Sequence, residues 1–214
     1  LSIRRSTQYE EILQRIKDGG KYLDIGCCVG QDIRKLVYDG APAENLYGSD
    51  LMQDFLDIGY DLFLDKDTLN ATFIAADIFD PGPNLKQLNG SIDIVHAASF
   101  FHLFGYQQQV VAAKQIVALM KPKAGGVIVG QQIGNVNAGE RRRDTDQTKS
   151  RFSHDIKSFA KMWEEVGDET GTKWEVEARL LPLDVARNYT GSNHYTGAGL
   201  PEGTRWMTFS VRRV

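Results

Sequence analysis

Cysteine, proline and long apolar runs are all scarce in this chain, and each shortage removes a class of protein. Only two cysteines occur in 214 residues. Cys27 and Cys28 are adjacent, a spacing that rarely reaches disulfide geometry, so a stapled secreted scaffold is excluded and a reducing, cytoplasmic setting is expected. No stretch of about 18 apolar residues exists, so no membrane insertion is expected. Charge of either sign is also weak: 25 Lys and Arg stand against 28 Asp and Glu, a formal net charge of −3. Residues 50–80 hold eight Asp and a single Lys, which would repel a phosphate backbone and speaks against nucleic acid as a partner. What is present suffices for an ordinary core. With 42% apolar and 10% aromatic residues, the chain reads as one globular domain spanning 1–214.

Strand and helix periods alternate along it. Thr7 with Glu10 is a capping-box signal, followed by Tyr9, Ile12, Leu13 and Ile16 at helical spacing until Gly19 and Gly20. Tyr22–Ile25 reads as a strand, a glycine turn follows, and Ile33, Leu36 and Val37 restart the helical period. A strand at Leu46–Ser49, a helix carrying Phe55, Ile58, Leu62 and Phe63 on one face, and a strand at Phe73–Ala75 continue the pattern. Ser91–Val95 and Gly126–Val129 are further strands around the helix of Val110, Ala113, Val117 and Met120, and a helix with Ile156, Phe159 and Trp163 follows. Trp174–Leu180 and Met207–Val211 instead alternate apolar with polar residues and have no helix between them, so they pair antiparallel. Strands alternating with helices imply a parallel sheet covered on both faces. Residues 131–152 and 182–204 read as long loops, a length that goes with either disorder or function, and the aromatics favour function, the second loop carrying Asn188, Tyr189, His194 and Tyr195.

Ligands of such sheets bind beyond the carboxyl ends of the strands. The first strand ends in Asp24-Ile25-Gly26-Cys27-Cys28-Val29-Gly30. Gly26 and Gly30 permit a tight turn and close backbone approach, and Cys27 and Cys28 keep bulk away. A dinucleotide fingerprint would want glycine where Cys28 and Gln31 stand. Asp24 instead offers a carboxylate suited to a cationic amino group. Asp50 ends the second strand, placed for ribose hydroxyls, with Leu51 beside it to underlie a purine; Asp77 ends the third, placed for an exocyclic amine. Singly, each aspartate reads equally as a helix cap or turn residue. Three at successive strand ends form a set.

These residues resemble the class I S-adenosylmethionine-dependent methyltransferases, whose first motif runs acidic-x-Gly-x-Gly-x-Gly. Asp24, Gly26 and Gly30 match it, and Cys28 replaces the middle glycine. The resemblance implies an α/β, Rossmann-like fold: a mostly parallel seven-stranded sheet with a C-terminal antiparallel strand pair and helices on both faces. It implies S-adenosyl-L-methionine as cofactor, with Gly26, Cys27, Gly30 and neighbouring backbone at the methionine portion, Asp50 and Leu51 at the nucleoside, and Asp77 and Ile78 at the adenine. Ile92–Phe104 is similar to the family's fourth motif, which puts Ala97 near the methyl group. The stretches 23–36, 39–50 and 96–104 further resemble small fungal natural-product methyltransferases of meroterpenoid and polyketide pathways. Several of those esterify a carboxylic acid, and they usually carry an N-terminal covering segment that this chain is expected to lack.

The expected reaction is methyl transfer to a hydrophobic small-molecule acceptor, most readily at a carboxylate or hydroxyl oxygen, in secondary-metabolite biosynthesis. No metal is needed, and a homodimer is compatible with the composition. His102 is the first candidate for binding the acceptor or removing its proton. Arg141, after the fifth strand, and His154, opening the next helix, could reach an acidic acceptor. The alternatives are a cofactor-binding partner subunit without turnover, and an N-methyltransferase.

Overall fold

The computed structural model describes residues 1–142, 150–184 and 200–214. Arg143, in the basic run with Arg141, and Asn188, Tyr189, His194 and Tyr195 of the segment 182–204 lie outside that range. The elements are α1 (Tyr9–Lys17), β1 (Tyr22–Ile25), α2 (Gln31–Tyr38), β2 (Leu46–Asp50), α3 (Gln53–Phe63), β3 (Thr72–Ala75), α4 (Gly82–Lys86), β4 (Ile94–His96), α5 (Tyr106–Leu119), β5 (Val127–Asn135), β6 (Gly139–Arg142), β7 (Ser150–Ser153), α6 (Ile156–Thr170), β8 (Trp174–Leu181) and β9 (Thr204–Arg213). Seven strands form one sheet in the order β3-β2-β1-β4-β5-β9-β8. The first five are parallel, while β9 runs antiparallel to both β5 and β8. This is the mixed sheet expected from the sequence.

Strand alternation sorts the core into two layers. Leu23, Ile25, Val95 and Ile128 face α5 and α6 on one side. Tyr22, Ile94, Val127 and Val129 face α1 and α2 on the other. The strand order reverses between β1 and β4, so the loops leaving these two strands diverge and open a crevice at their carboxyl ends.

Three local expectations are corrected. The cap at Thr7 does not form: α1 starts at Tyr9 with Gln8 at its N-cap and no side-chain bond there. The preceding turn, Ile3–Arg5, shifts the helix start, and the Gln8 N–H is taken by Ser6 Oγ instead. A capping box closes α6, where Asp155 and Ser158 satisfy each other's backbone amides. Residues 131–152 are not simply a loop. Because β9 supplies antiparallel partners along the whole of 127–135, β5 extends through Gln131, Gln132 and Gly134, and β6 and β7 then form a separate hairpin.

The third correction concerns α3. The residues expected as its buried face are outside: Phe55, Ile58 and Leu62 are 41%, 50% and 63% exposed. Its buried residues are Leu56 and Gly59. Gly59 decides this, because a Cβ there would come within 2.5 Å of the Val29 carbonyl oxygen. The helix therefore lies backbone-close on the turn after β1, turned away from the orientation its apolar pattern suggests. Arg34 of α2 holds the far end, donating Nε and Nη2 to both Asp65 oxygens at 2.6 and 2.8 Å and Nη1 to the Val29 carbonyl at 2.7 Å. Its guanidinium also stacks over Phe63 at 4.5 Å.

Gly59→Ala is expected to lower unfolding free energy by about 1–3 kcal/mol in urea titrations, the usual cost of an overpacked contact. An unchanged midpoint would mean that α3 does not seat on the turn.

Candidate functional site

The carboxyl ends of β1, β2 and β3 are neighbours, and one hydrogen-bond set ties them together. The Ser49 carbonyl accepts from the N–H groups of Gly26 at 2.8 Å and Cys27 at 3.1 Å. Asp50 accepts from Cys28 N–H through Oδ2 at 2.9 Å and from Met52 N–H through Oδ1 at 3.0 Å. Asp77 accepts from Phe79 N–H at 2.9 Å. The turn runs in left-handed backbone: Gly26 has φ 72° and Cys28 φ 52°. The family's middle glycine is thus replaced by a residue that bears the steric cost of that region. Gly26 and Cys28 are exposed, while Cys27 is 1% exposed and burial pushes its thiol pKa up. Cys27 therefore contributes backbone and packing only.

The rim also carries the features a nucleoside needs. Leu51 and Met52, 64% and 46% exposed, follow Asp50, and Asp77 is exposed beside buried Ile78. Ala97 is fully buried, its N–H donating to the Val129 carbonyl. Gly26 packs under Phe100, from the loop after β4, so that loop forms the opposite wall of the crevice. Apolar surface at a strand end, a carboxylate beside it and bare backbone across from it suit an adenosyl amino acid without phosphates.

Asp24 differs from its expected role. As the third residue of β1 it shares a face with Tyr22, so it points under the turn and is only 3% exposed. Its Oδ1 lies 2.9 Å from His96 Nδ1, at the end of β4. His96 Nε2 is 3.3 Å from Ser2 Oγ, which donates to Asp32 Oδ2 at 2.6 Å, and Asp32 also accepts from Ile3 N–H. Burial alone would push the His96 pKa down. The charge and hydrogen bond of Asp24, with the charge of Asp32, outweigh it and hold the pKa above the ordinary imidazole value. The sequence reading missed His96 and Asp32. A histidine ending an otherwise apolar strand, with an Asp one residue from the end of the neighbouring strand, was the signal available.

The catalytic candidates separate. His102 sits partly buried in the turn Phe101–Leu103 that follows β4. Arg141 lies on the hairpin, donating to the carbonyls of Gly139 and Asn137. The hairpin itself braces this region, since Glu140 accepts from Tyr106 N–H at the start of α5 and Phe152 N–H donates to the Phe104 carbonyl. His154 is not available to an acceptor. It is fully buried, with Nδ1 3.0 Å from Ser158 Oγ and Nε2 3.1 Å from Gln109 Oε1, between the rings of Phe152 and Phe159. Burial pushes its pKa down to about 4, which keeps the imidazole neutral inside the fold.

Among the described residues, no helix is long and apolar enough to cross a membrane. Comparison with known proteins agrees with the geometry. Residues 23–123 match the methyltransferase domain family model. The chain is 48% identical over 222 residues to the O-methyltransferase phiE of a fungal species, an alignment covering all of this chain and 74% of that protein. It is 42% identical over 185 residues to the methyltransferase adrK of Penicillium rubens, covering 83% of this chain and 64% of that one. An S-adenosylmethionine-dependent methyltransferase from Mesorhizobium loti superposes with a TM-score of 0.63 over 99% of this chain and 100% of its own, at 16% identity, a likeness of fold alone.

Two measurements test this local account. Because Cys28 is left-handed, Cys28→Gly should stay within about 1 kcal/mol of the parent stability, whereas the β-branched Cys28→Val should lose about 2 kcal/mol or more; equal losses would refute the strain. The unfolded chain binds a proton at His154 below its ordinary pKa of 6.5, and the native chain does so only near 4. Stability from this residue is therefore complete above about pH 6.5 and falls as pH drops toward 4, by up to about 3 kcal/mol. His154→Gln should flatten that acid-side slope in urea unfolding at stepped pH.

Proposed function

Because the chain belongs to the class I S-adenosylmethionine-dependent methyltransferases, we propose that it methylates an oxygen of a hydrophobic small molecule in secondary-metabolite biosynthesis. The observation that carries the cofactor half of this reading is the run of adjacent strand ends bearing Gly26, Asp50 and Asp77. In it, Asp50 accepts the ribose hydroxyls on the lone pairs not used by Cys28 and Met52, and Leu51 and Ile78 contact the adenine. Asp77 accepts from the exocyclic amine, while the turn at Gly26, Cys27, Cys28 and Gly30 and the backbone at Ala97 take the methionine portion. Asp24 acts from beneath, as the charge that holds His96. The oxygen half draws support from the O-methyltransferase name of phiE.

The bound cofactor supplies a methyl group already activated by its sulfonium, so alignment and exclusion of water are the main tasks left to the protein. Phe100 and Phe104, in ring contact at 5.4 Å, supply an apolar wall that keeps water out. The turn at Gly26 with Asp50 and Asp77 would hold the cofactor, which would serve as the methyl donor to an acceptor oxygen. A carboxylate acceptor reaches the neutral ester with no proton to lose. A hydroxyl acceptor gives its proton to His102, the base nearest the end of β4 in sequence that the interior does not enclose.

Calorimetry with S-adenosylhomocysteine tests the reading. Micromolar binding is expected, weakened about tenfold or more in Asp50→Ala, with Asp50→Asn intermediate because it keeps an acceptor for Cys28 N–H. Absence of both heat and thermal shift at millimolar ligand would overturn it.

A further inference from the structure

The turn Gly26–Gly30 hangs between two buried aspartates. Asp24 stands two residues before Gly26, and Asp32 stands two residues after Gly30, in the first turn of α2. They are 3% and 1% exposed, so neither is open to a ligand at the rim. A carboxylate oxygen of each and a ring nitrogen of His96 nevertheless lie within 4.8 Å of one another. Asp24 and His96 are also the last pair in the register of β1 with β4. Beyond them the two strands diverge into the crevice, so this pair is the final link between them before the site opens.

The hydrogen-bond directions fix the form of the ring. Ser2 Oγ gives its single proton to Asp32 Oδ2 at 2.6 Å, so toward His96 Nε2, 3.3 Å away, it acts as acceptor. His96 Nδ1 faces the Asp24 carboxylate at 2.9 Å. Both ring nitrogens therefore donate, which is the imidazolium form. Burial opposes that form, but the charge and hydrogen bond of Asp24 and the charge of Asp32 outweigh it and hold the pKa above the ordinary value. The other groups around the ring are Tyr22, stacked on it with centroids 6.3 Å apart and kept neutral by burial, and Arg5, Glu177 and Arg179. These last three line a recess of about 170 Å³ that reaches Ser2 and His96 and gives the ring a route for proton exchange.

We propose that His96 is a positioning residue for the cofactor: by holding Asp24 directly and Asp32 through Ser2, it fixes both ends of the turn Gly26–Gly30. The proposal rests on the methyl-transfer reading above, assigns no cofactor contact to His96, and makes the N-terminal turn part of the support of the cofactor site. A glycine-bearing turn is costly to order, and ordering it before the ligand arrives removes that cost from binding. When the ring loses its proton, one nitrogen stops donating. Either the Asp24 link or the Ser2 link then opens, and the turn is released at one end. The clamp is complete while His96 is protonated and is lost as pH rises through its raised pKa.

The test is calorimetry of the purified chain with S-adenosylhomocysteine, run on two conservative variants. Ser2→Ala breaks the link to Asp32 without removing a buried charge, and His96→Asn keeps a donor in the place of Nδ1 but cannot titrate. At pH 7 each is expected to bind about threefold to tenfold more weakly than the parent, while urea unfolding shows both to be folded. As pH is raised from about 6.5 to 10, the parent's advantage over His96→Asn should disappear in step with the titration of the His96 ring, followed by NMR. The ligand's own amino group titrates equally in both series and cancels in the ratio. Should His96→Asn not fold, Ser2→Ala decides. Parent-like affinity in the folded variants, or a ratio that does not follow the ring, overturns the proposal and leaves the methyl-transfer reading intact. Failure of the parent itself to bind S-adenosylhomocysteine overturns that reading, and this proposal with it.

Discussion

The hydrogen bond from the Cys28 amide to Asp50 is the contact on which the rest of the rim depends. A parallel sheet leaves the carboxyl ends of its strands without mutual cover, so each outgoing loop must be fixed by something beyond the ladder. Here the carboxylate at the end of β2 fixes the turn leaving β1, and the Ser49 carbonyl takes two more amides of the same turn. The turn then presents the Val29 carbonyl to Arg34, and α3 seats against it at Gly59. Loop, strand end and two helices thus form one unit, and the left-handed cost at Cys28 is offset by its amide's bond to Asp50 and by the contacts of Arg34 and α3 with the adjoining Val29.

Behind this rim lies a polar layer that an apolar core would have avoided. Asp24, His96, Asp32 and Ser2 are linked in series, and three of the four are nearly inaccessible. Two buried carboxylates against one imidazole are tolerable only with hydrogen bonds to each: His96 serves Asp24, and the N-terminal turn serves Asp32 through Ser2 and Ile3. This ties the first residues to the end of β4. The other buried histidine solves the opposite problem. His154 stays neutral, joins Gln109 of α5 to Ser158 of α6, and carries the hairpin against the turn that holds His102.

Much of the fold was readable in the chain. Short apolar runs separated by glycine turns and amphipathic helices specify βα units, and the alternation in Trp174–Leu181 and Met207–Val211 specifies the antiparallel pair. The turn at Gly26–Gly30 and the acidic residues at positions 50 and 77 were readable for the same reason: each depends on neighbours within a few residues. The misreadings have two origins. The cap at Thr7 was displaced by another local signal, the turn just before it. The apolar stripe of α3 was overruled by a glycine contact with a distant loop, and β5 was extended by a partner about eighty residues later, so in these two a non-local contact outweighed a local preference.

Composition and periodicity by themselves determined the class of fold, the position of the glycine turn and the acidic strand ends, because strand and helix periods act between residues close in the chain. Only the tertiary structure decided that Asp24 turns inward to His96 and that His154 is walled in. Those outcomes depend on strand register and on which face each side chain takes, and register is set by pairing partners far apart along the chain.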